Sequence, residues 1–471
     1  MSSTSSSTST SKVKLDVQQL IDSGRFSRYQ FLIAFLCFIV IALDGFDTAI
    51  IGFIAPSLKG EWQLAPQQLG PLLSAGLVGL AVGSFIAGPL ADRIGRKMVL
   101  VLSVLFFGIW SLASAHTDSL ITLAAFRFLT GLGLGGAMPN AITLTSEYSP
   151  QRTKSTVVTI MFCGFTLGSG LGGVLAAHMI PAYGWRSVLL FGGYVPIAFA
   201  ALLLFLLPES VRFLVLRRPG SARIGAIIGR IAPQAKLAGA TFFIPEPPVA
   251  AKRSPVAQLF AAPLSFGTIA LWAAFFMSLL IVYLLTNWLP TLFKDAGFPI
   301  AKAALVSAMY QVGGTVGAIV LGRAMDKTNP YKVLGIAYLA SIVFIGLIGF
   351  MYTDLVILNL AVAGVGFCVS GSQIGANALA AAFYPTSNRA TGVSWALGIG
   401  RCGAILGSLM GGALLGAGIG FSAIILLLAI PALLASIAIF AMFRRYPQGS
   451  SMPASSANRA AAAPAQVRSS T

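Results

Sequence analysis

Twelve stretches of about 18 to 30 residues carry almost no charge, and each is long enough to cross the hydrocarbon core of a bilayer as a helix. They fall at 29–55, 67–90, 98–115, 120–147, 155–180, 186–207, 265–290, 301–325, 331–352, 354–383, 391–417 and 419–443. Backbone polar groups in lipid must be satisfied within the segment, so the runs are predicted as helices and the chain as an all-α membrane protein. Composition excludes a soluble fold: 56% of the residues are apolar and 9% charged, against the ~25% charged residues that cover a typical soluble surface.

The runs divide six and six around Pro208 to Pro263, a stretch too rich in Pro, Arg and Lys to cross a bilayer. The expected organisation is a tail at 1–28, a six-helix unit at 29–207, a central loop at 208–264, a six-helix unit at 265–443 and a tail at 444–471. The first tail opens on a Ser/Thr tract and carries Lys12, Lys14, Arg25 and Arg28. It lacks the apolar core and cleavage site of a signal peptide and reads as a solvated segment.

Of the 31 Lys and Arg residues, 25 fall in the tails and in the loops on the side of the chain ends, and four, Lys59, Arg186, Lys294 and Lys302, in loops on the other side. This bias predicts both termini in the cytoplasm. The net charge of +18 is therefore a topology signal; no nucleic acid partner is expected. Cys37, Cys163, Cys368 and Cys402 all lie in apolar runs without paired spacing, so neither a disulfide nor a metal site is expected. His116 and His178, near helix ends without ligand partners, read as interfacial. No nucleophile and base set is visible, so no catalytic residue and no enzyme activity is expected.

The two units repeat each other. Gly88-Pro-Leu-Ala-Asp92-Arg93 after the second run recurs as Gly322-Arg-Ala-Met-Asp326-Lys327 after the eighth. Asn140-Ala141 followed by Tyr148, Pro150 and Arg152 is echoed by Asn377-Ala378 followed by Tyr384, Pro385 and Arg389. Two six-helix pseudo-repeats around a cleft are the plan of a secondary transporter, with its substrate site near the midplane.

Motifs in these repeats resemble those of the major facilitator superfamily (MFS). Gly88-x-x-x-Asp92-Arg93-x-Gly95-Arg96-Lys97 is similar to its loop 2–3 signature, complete here and degenerate after Asp326. Arg127-Phe-Leu-Thr-Gly131-x-Gly133-x-Gly135-Gly136 resembles its fourth-helix motif, and Pro208-Glu209-Ser210-x-Arg212-Phe213-Leu214 its end-of-helix-six motif. Asp44-Gly45-Phe46-Asp47 in the first run is similar to the signature of the aromatic acid:proton symporters. That resemblance implies a bacterial inner-membrane importer of 4-hydroxybenzoate, protocatechuate, benzoate or gentisate.

An ionisable group inside a span is costly unless paired or hydrated, which marks Asp44, Asp47, Arg127 and Arg401 as functional candidates. At ~1.5 Å of rise per residue, Asp44 and Arg127 lie at about the same depth, with Asp47 one turn further out on the same helix face. Asp44 and Asp47 are expected to couple protons, with Arg127 as their modulating partner; a permanent ion pair of Arg127 with one of them is the structural alternative. Arg401, about 15 Å into its helix, has no acidic residue in spans seven, nine, eleven or twelve. Its planar fork suits a carboxylate, so it is expected to hold the substrate's acid group. Tyr283, Asn287, Tyr310, Gln311, Gln373, Asn377 and Trp395 are candidates for contacts to the ring and its hydroxyls.

The loop motifs are expected to switch conformation. Asp92 is placed to meet the N-terminus of helix eleven, and Arg93 or Arg96 to reach Glu147. With Gly88 and Gly95, and with Asp326 and Arg389 in the second half, these contacts would hold the cytoplasmic side closed and break as it opens. The expectation is thus a monomeric, proton-coupled importer of an aromatic carboxylate, driven by the proton gradient without a cofactor. The alternatives are a proton-coupled exporter of drugs or metabolites and a symporter of non-aromatic acids.

Overall fold

A computed structural model of the chain describes residues 14–24, 26–217, 221–234, 241–243, 255–261, 264–385 and 388–447. Most of the two tails and part of the central loop lie outside the described residues.

Short elements open the chain: β1 (Lys14–Asp16) and α1 (Val17–Ser23), whose N-terminus is capped by the Asp16 carboxylate. Six long helices follow, α2 (Arg28–Glu61), α3 (Pro66–Ile94), α4 (Arg96–Ser114), α5 (Leu120–Tyr148), α6 (Gln151–Tyr183) and α7 (Trp185–Leu206). The central segment holds α8 (Val211–Arg217), α9 (Ala222–Ile231), β2 (Thr241–Phe243) and α10 (Pro255–Leu259). The second unit comprises α11 (Ser265–Asp295), α12 (Ile300–Lys327), α13 (Pro330–Met351), α14 (Leu355–Val365), α15 (Gly371–Phe383), α16 (Arg389–Gly416), α17 (Phe421–Leu427) and α18 (Ala429–Arg445). A π-helical turn, Gly366–Ser370, joins α14 to α15 into one span, and α17 with α18 makes another. Twelve spans result, at the positions read from the hydropathy.

The described start of the chain is not a solvated tail. β1 pairs in parallel with β2, Leu15 beside Phe242, so the segment before the first span is tied to the segment between the halves. Val17 and Ile21 of α1 are buried with Ile224, Ile227, Ile228 and Ile231 of α9. Asp22 accepts a bond from the Gln151 backbone N–H at the start of α6 (2.8 Å), and Arg152 donates to the Gly24 carbonyl (2.6 Å). The apolar positions 17 and 21, one helical turn apart, are the signal that the high polarity of the tail masks.

Every span runs between two faces. The face holding residues 14–24, the central segment and Arg445 is here the terminal face; the opposite one is the far face. Towards the far face one apolar core runs through both halves, from Ile54 and Leu72 to Leu285 and Leu292. Towards the terminal face the cores separate, one around Ile41, Val104 and Leu144, the other around Phe275, Tyr338 and Ile439. Polar contacts agree: Lys59 and Asp295 pair across the halves (2.6 Å) near the far face, and Thr166 meets Thr315 (2.6 Å) at mid-depth. Glycines permit close inter-half crossings on that side, with Gly52 against the Thr286 carbonyl and Gly412 against that of Pro66. The molecule is closed on the far face and parted on the terminal face.

Candidate functional site

A cavity of about 140 Å³ lies where the halves part. An apolar cavity of roughly 150 Å³ accommodates a benzene ring. The wall from the first half is Leu77 and Leu80 of α3, Leu134 and Met138 of α5, and Phe162, Phe165 and Thr166 of α6. The wall from the second half carries the polar groups: Tyr283 of α11, Ser370 of the π turn, Gln373 and Asn377 of α15, and Arg401 of α16. The π turn shifts the register between α14 and α15, a device frequent at functional sites. Gln373 Oε1 and Asn377 Oδ1 are buried and lack a hydrogen-bond partner among the described residues, an unusual state for buried polar atoms in a finished core.

Arg401 donates to the Ser84 hydroxyl across the halves, and among the described residues no carboxylate pairs with it. Arg127 is different. Its guanidinium grips Asp47 at both carboxylate oxygens (2.6 and 3.2 Å) and at the backbone carbonyl (3.0 Å), and both side chains are buried. Asp44, fully buried, accepts only a long bond from Thr48 (3.3 Å), and its second oxygen has no partner among the described residues. The structure therefore splits the two aspartates expected to act together. Helical side chains lean towards the N-terminus of their own helix. Asp47 on α2 thus leans to the terminal face and Arg127 on the antiparallel α5 to the far face, closing the one-turn offset between their backbones.

Four of the eight residues expected to bind substrate line the cavity: Arg401, Tyr283, Gln373 and Asn377. The others do not. Asn287 donates to Ser408 (2.6 Å) and Gln311 to Thr286 (3.2 Å) within the second half. Tyr310 is buried, its carbonyl against Gly366. Trp395 is 43% exposed and stacks on Trp272 with ring centroids 5.7 Å apart, an outward aromatic pair. Phe162 and Phe165 escaped the sequence reading; their i, i+3 spacing puts them on one face of α6, but glycine-rich helices offer many such pairs.

The loop motifs meet on the terminal face within the first half. Gly95 turns the chain at φ 101°, a region that a side chain rarely enters, and the Glu209 carboxylate occupies the space a Cβ would need. That carboxylate accepts the Lys97 (3.0 Å) and Ser210 (2.9 Å) backbone N–H groups, capping α4. Glu147 takes a bond from the Ser210 hydroxyl, and Tyr148 donates to the Glu209 carbonyl (2.5 Å). Asp92 pairs with Arg96 (2.8 Å) and stays 66% exposed. The expected direct pair of Arg93 or Arg96 with Glu147 is not formed, and Asp92 does not reach the second half among the described residues. At Gly88 and Gly322 a side chain would meet open space, and Asp326 and Arg389 are exposed.

The sequence matches the Major Facilitator Superfamily over residues 37–350 and 271–469. It is 49% identical to the 4-hydroxybenzoate transporter PcaK of Pseudomonas aeruginosa over 426 residues, 90% of this chain and 95% of that one. It is 48% identical to the gallate transporter of Pseudomonas putida, over 91% of this chain and 95% of that one. Among solved structures it resembles the partially occluded inward-open conformation of the E. coli xylose transporter XylE, with a TM-score of 0.68 and 18% identity over 89% of this chain and 98% of that one. The motifs, the twelve spans in two repeats and these likenesses agree: the chain is a multi-pass membrane transporter, not an enzyme, and belongs to the Major Facilitator Superfamily alongside the aromatic acid transporters.

Proposed function

We propose that the protein imports an aromatic carboxylate of the hydroxybenzoate type together with a proton, by alternating access. The observation that carries this reading is Arg401, a guanidinium without a carboxylate partner that faces an apolar, phenylalanine-bearing wall across a ring-sized cavity. A carboxylate docks on the planar fork, its ring lies against Phe162 and Phe165, and a ring hydroxyl meets the open acceptors of Gln373 and Asn377. Tyr283 completes the polar wall. Relatives named for 4-hydroxybenzoate and gallate support the substrate class.

Asp44 is the proton carrier in this reading. A carboxyl group without a contacting cation can take up and release a proton without first breaking an ion pair, whereas Asp47 cannot. The Asp47–Arg127 pair instead ties α2 to α5. The 25-to-4 distribution of basic residues supports a bacterial inner membrane with the terminal face in the cytoplasm, so the present conformation is inward-facing. Loop groups Gly88, Asp92, Asp326 and Arg389 then form the cytoplasmic closure when the cycle turns outward. Both walls of the cavity come from one chain, so the monomer suffices.

The test compares affinities for 4-hydroxybenzoate and for its amide on wild-type and Arg401→Lys protein. Lysine keeps the charge and loses the fork, so the acid should bind about 1 to 3 kcal/mol more weakly and the amide much less so. Equal losses for both ligands would make Arg401 a structural residue. Uptake into proteoliposomes under a pH gradient of either sign separates import from export.

A further inference from the structure

A second cavity, of about 520 Å³, opens on the terminal face of the first half, away from the transport cavity. It lies within the 300–1,000 Å³ range of small-molecule sites. Its upper wall is cationic: Lys97 at the start of α4, and Arg223 and Arg230 of α9. Its single carboxylate, Glu209, is already taken up by the Lys97 and Ser210 backbone N–H groups. Lys97 spends one donor on the Leu204 carbonyl (2.7 Å), Arg230 lies 5.3 Å over the Tyr29 ring, and Arg223 has no acidic partner among the described residues. Three cationic side chains thus face the cavity against a single carboxylate, which leaves it with an excess of positive charge.

The lower wall is of another kind. Ile94, Met98, Leu204, Phe205 and Leu206 line it from the ends of α3, α4 and α7, and all five are exposed large apolar side chains, Phe205 at 82%. These are the terminal turns of membrane-spanning helices, so the exposed side chains face acyl chains while the cations stand at headgroup level. Basic pockets of this kind on the cytoplasmic side of membrane helices recognise anionic lipid headgroups.

We propose that this cavity binds one acidic phospholipid, its phosphodiester between Arg223, Arg230 and Lys97 and its acyl chain along Phe205 and Met98. Since α9 also packs on α1, a lipid held here bridges the bundle and the folded start of the chain. The test is native mass spectrometry of the full-length protein in detergent with phosphatidylglycerol, phosphatidylcholine or sn-glycerol 3-phosphate added. The expected result is a single phosphatidylglycerol adduct that survives where phosphatidylcholine does not. It should weaken at least fivefold in Arg223→Gln/Arg230→Gln and stay unchanged in Arg444→Gln/Arg445→Gln, which removes equal charge from the terminal face of the other half. Both arginines of α9 are exposed, and near-ultraviolet circular dichroism should confirm an unaltered fold. Equal retention of both lipids, equal weakening in both double variants, or full competition by glycerol phosphate each overturns the proposal.

Discussion

The two halves of this transporter treat their buried arginines in opposite ways. In the first, Arg127 is neutralised by Asp47 on a neighbouring helix, and the half presents leucines, Met138 and two phenylalanines to the cavity. In the second, Arg401 has no carboxylate in contact among the described residues; it donates to Ser84 of the other half and lines the cavity with Gln373, Asn377 and Tyr283. A pseudo-repeat built from one structural plan has become a largely apolar, phenylalanine-bearing wall on one side and a wall bearing polar groups on the other. What survives of the repeat is the scaffold and its turns; what differs is where a charge finds its partner.

The strongest way to break this comparison is at Arg127. Arg127→Gln leaves Asp47 buried without its cation, a change that costs about 3–5 kcal/mol in buried pairs, so the melting temperature in detergent should fall sharply. Adding Asp47→Asn should restore much of it. A single variant as stable as wild type would show that the pair does not hold α2 to α5.

Next in size is coupling. Asp44→Asn should abolish uptake driven by a pH gradient while sparing exchange between two substrate-loaded sides, measured in proteoliposomes. Asp47→Asn should lose stability first. If Asp47→Asn alone uncoupled transport in a folded protein, the division of roles between the aspartates would reverse.

Smaller effects follow at the rims. The Lys59–Asp295 pair is partly exposed, with side chains 25% and 34% accessible, and such pairs contribute about 0–1 kcal/mol. Asp295→Asn should therefore shift the balance towards far-face opening only a few-fold, read as a modest gain in apparent affinity for external substrate. Smallest of all, Trp395→Leu should leave substrate affinity within about twofold, roughly 0.4 kcal/mol at RT ≈ 0.59, because the indole stacks on Trp272 outside the cavity. A large loss would return Trp395 to the binding wall.

Span positions were legible because hydrophobic length is a property of contiguous sequence, and the glycine and charge motifs marked the turns between them. The identity of the unusual charges was legible too, since lipid makes each one conspicuous. Pairing was not. Asp44 and Arg127 lie level along their helices, yet side-chain lean on antiparallel helices selects Asp47. Asn287, Gln311 and Trp395 have the depth and chemistry of binding residues, but which side of a helix faces the other half depends on packing. The π turn that directs Ser370 and Gln373 leaves no sequence pattern beyond glycines also used for close crossings. The folded start of the chain was hidden because its partner strand lies more than 220 residues away, Lys14 pairing with Thr241.

Asp44 is a fully buried carboxyl at mid-span with no cation in contact among the described residues, and this bears on energetics across the membrane. If it alone exchanges a proton, each cycle moves one carboxylate and one proton, and the net charge transferred is zero. Voltage, worth about 2.3 kcal/mol per charge per 100 mV, then does no work on the substrate. Accumulation is set by the pH difference alone, at most tenfold for each unit, since a proton gradient of one unit stores about 1.4 kcal/mol. Such a carrier concentrates its substrate in acidic surroundings and stops concentrating it when the two sides reach equal pH, however strongly the membrane is polarised.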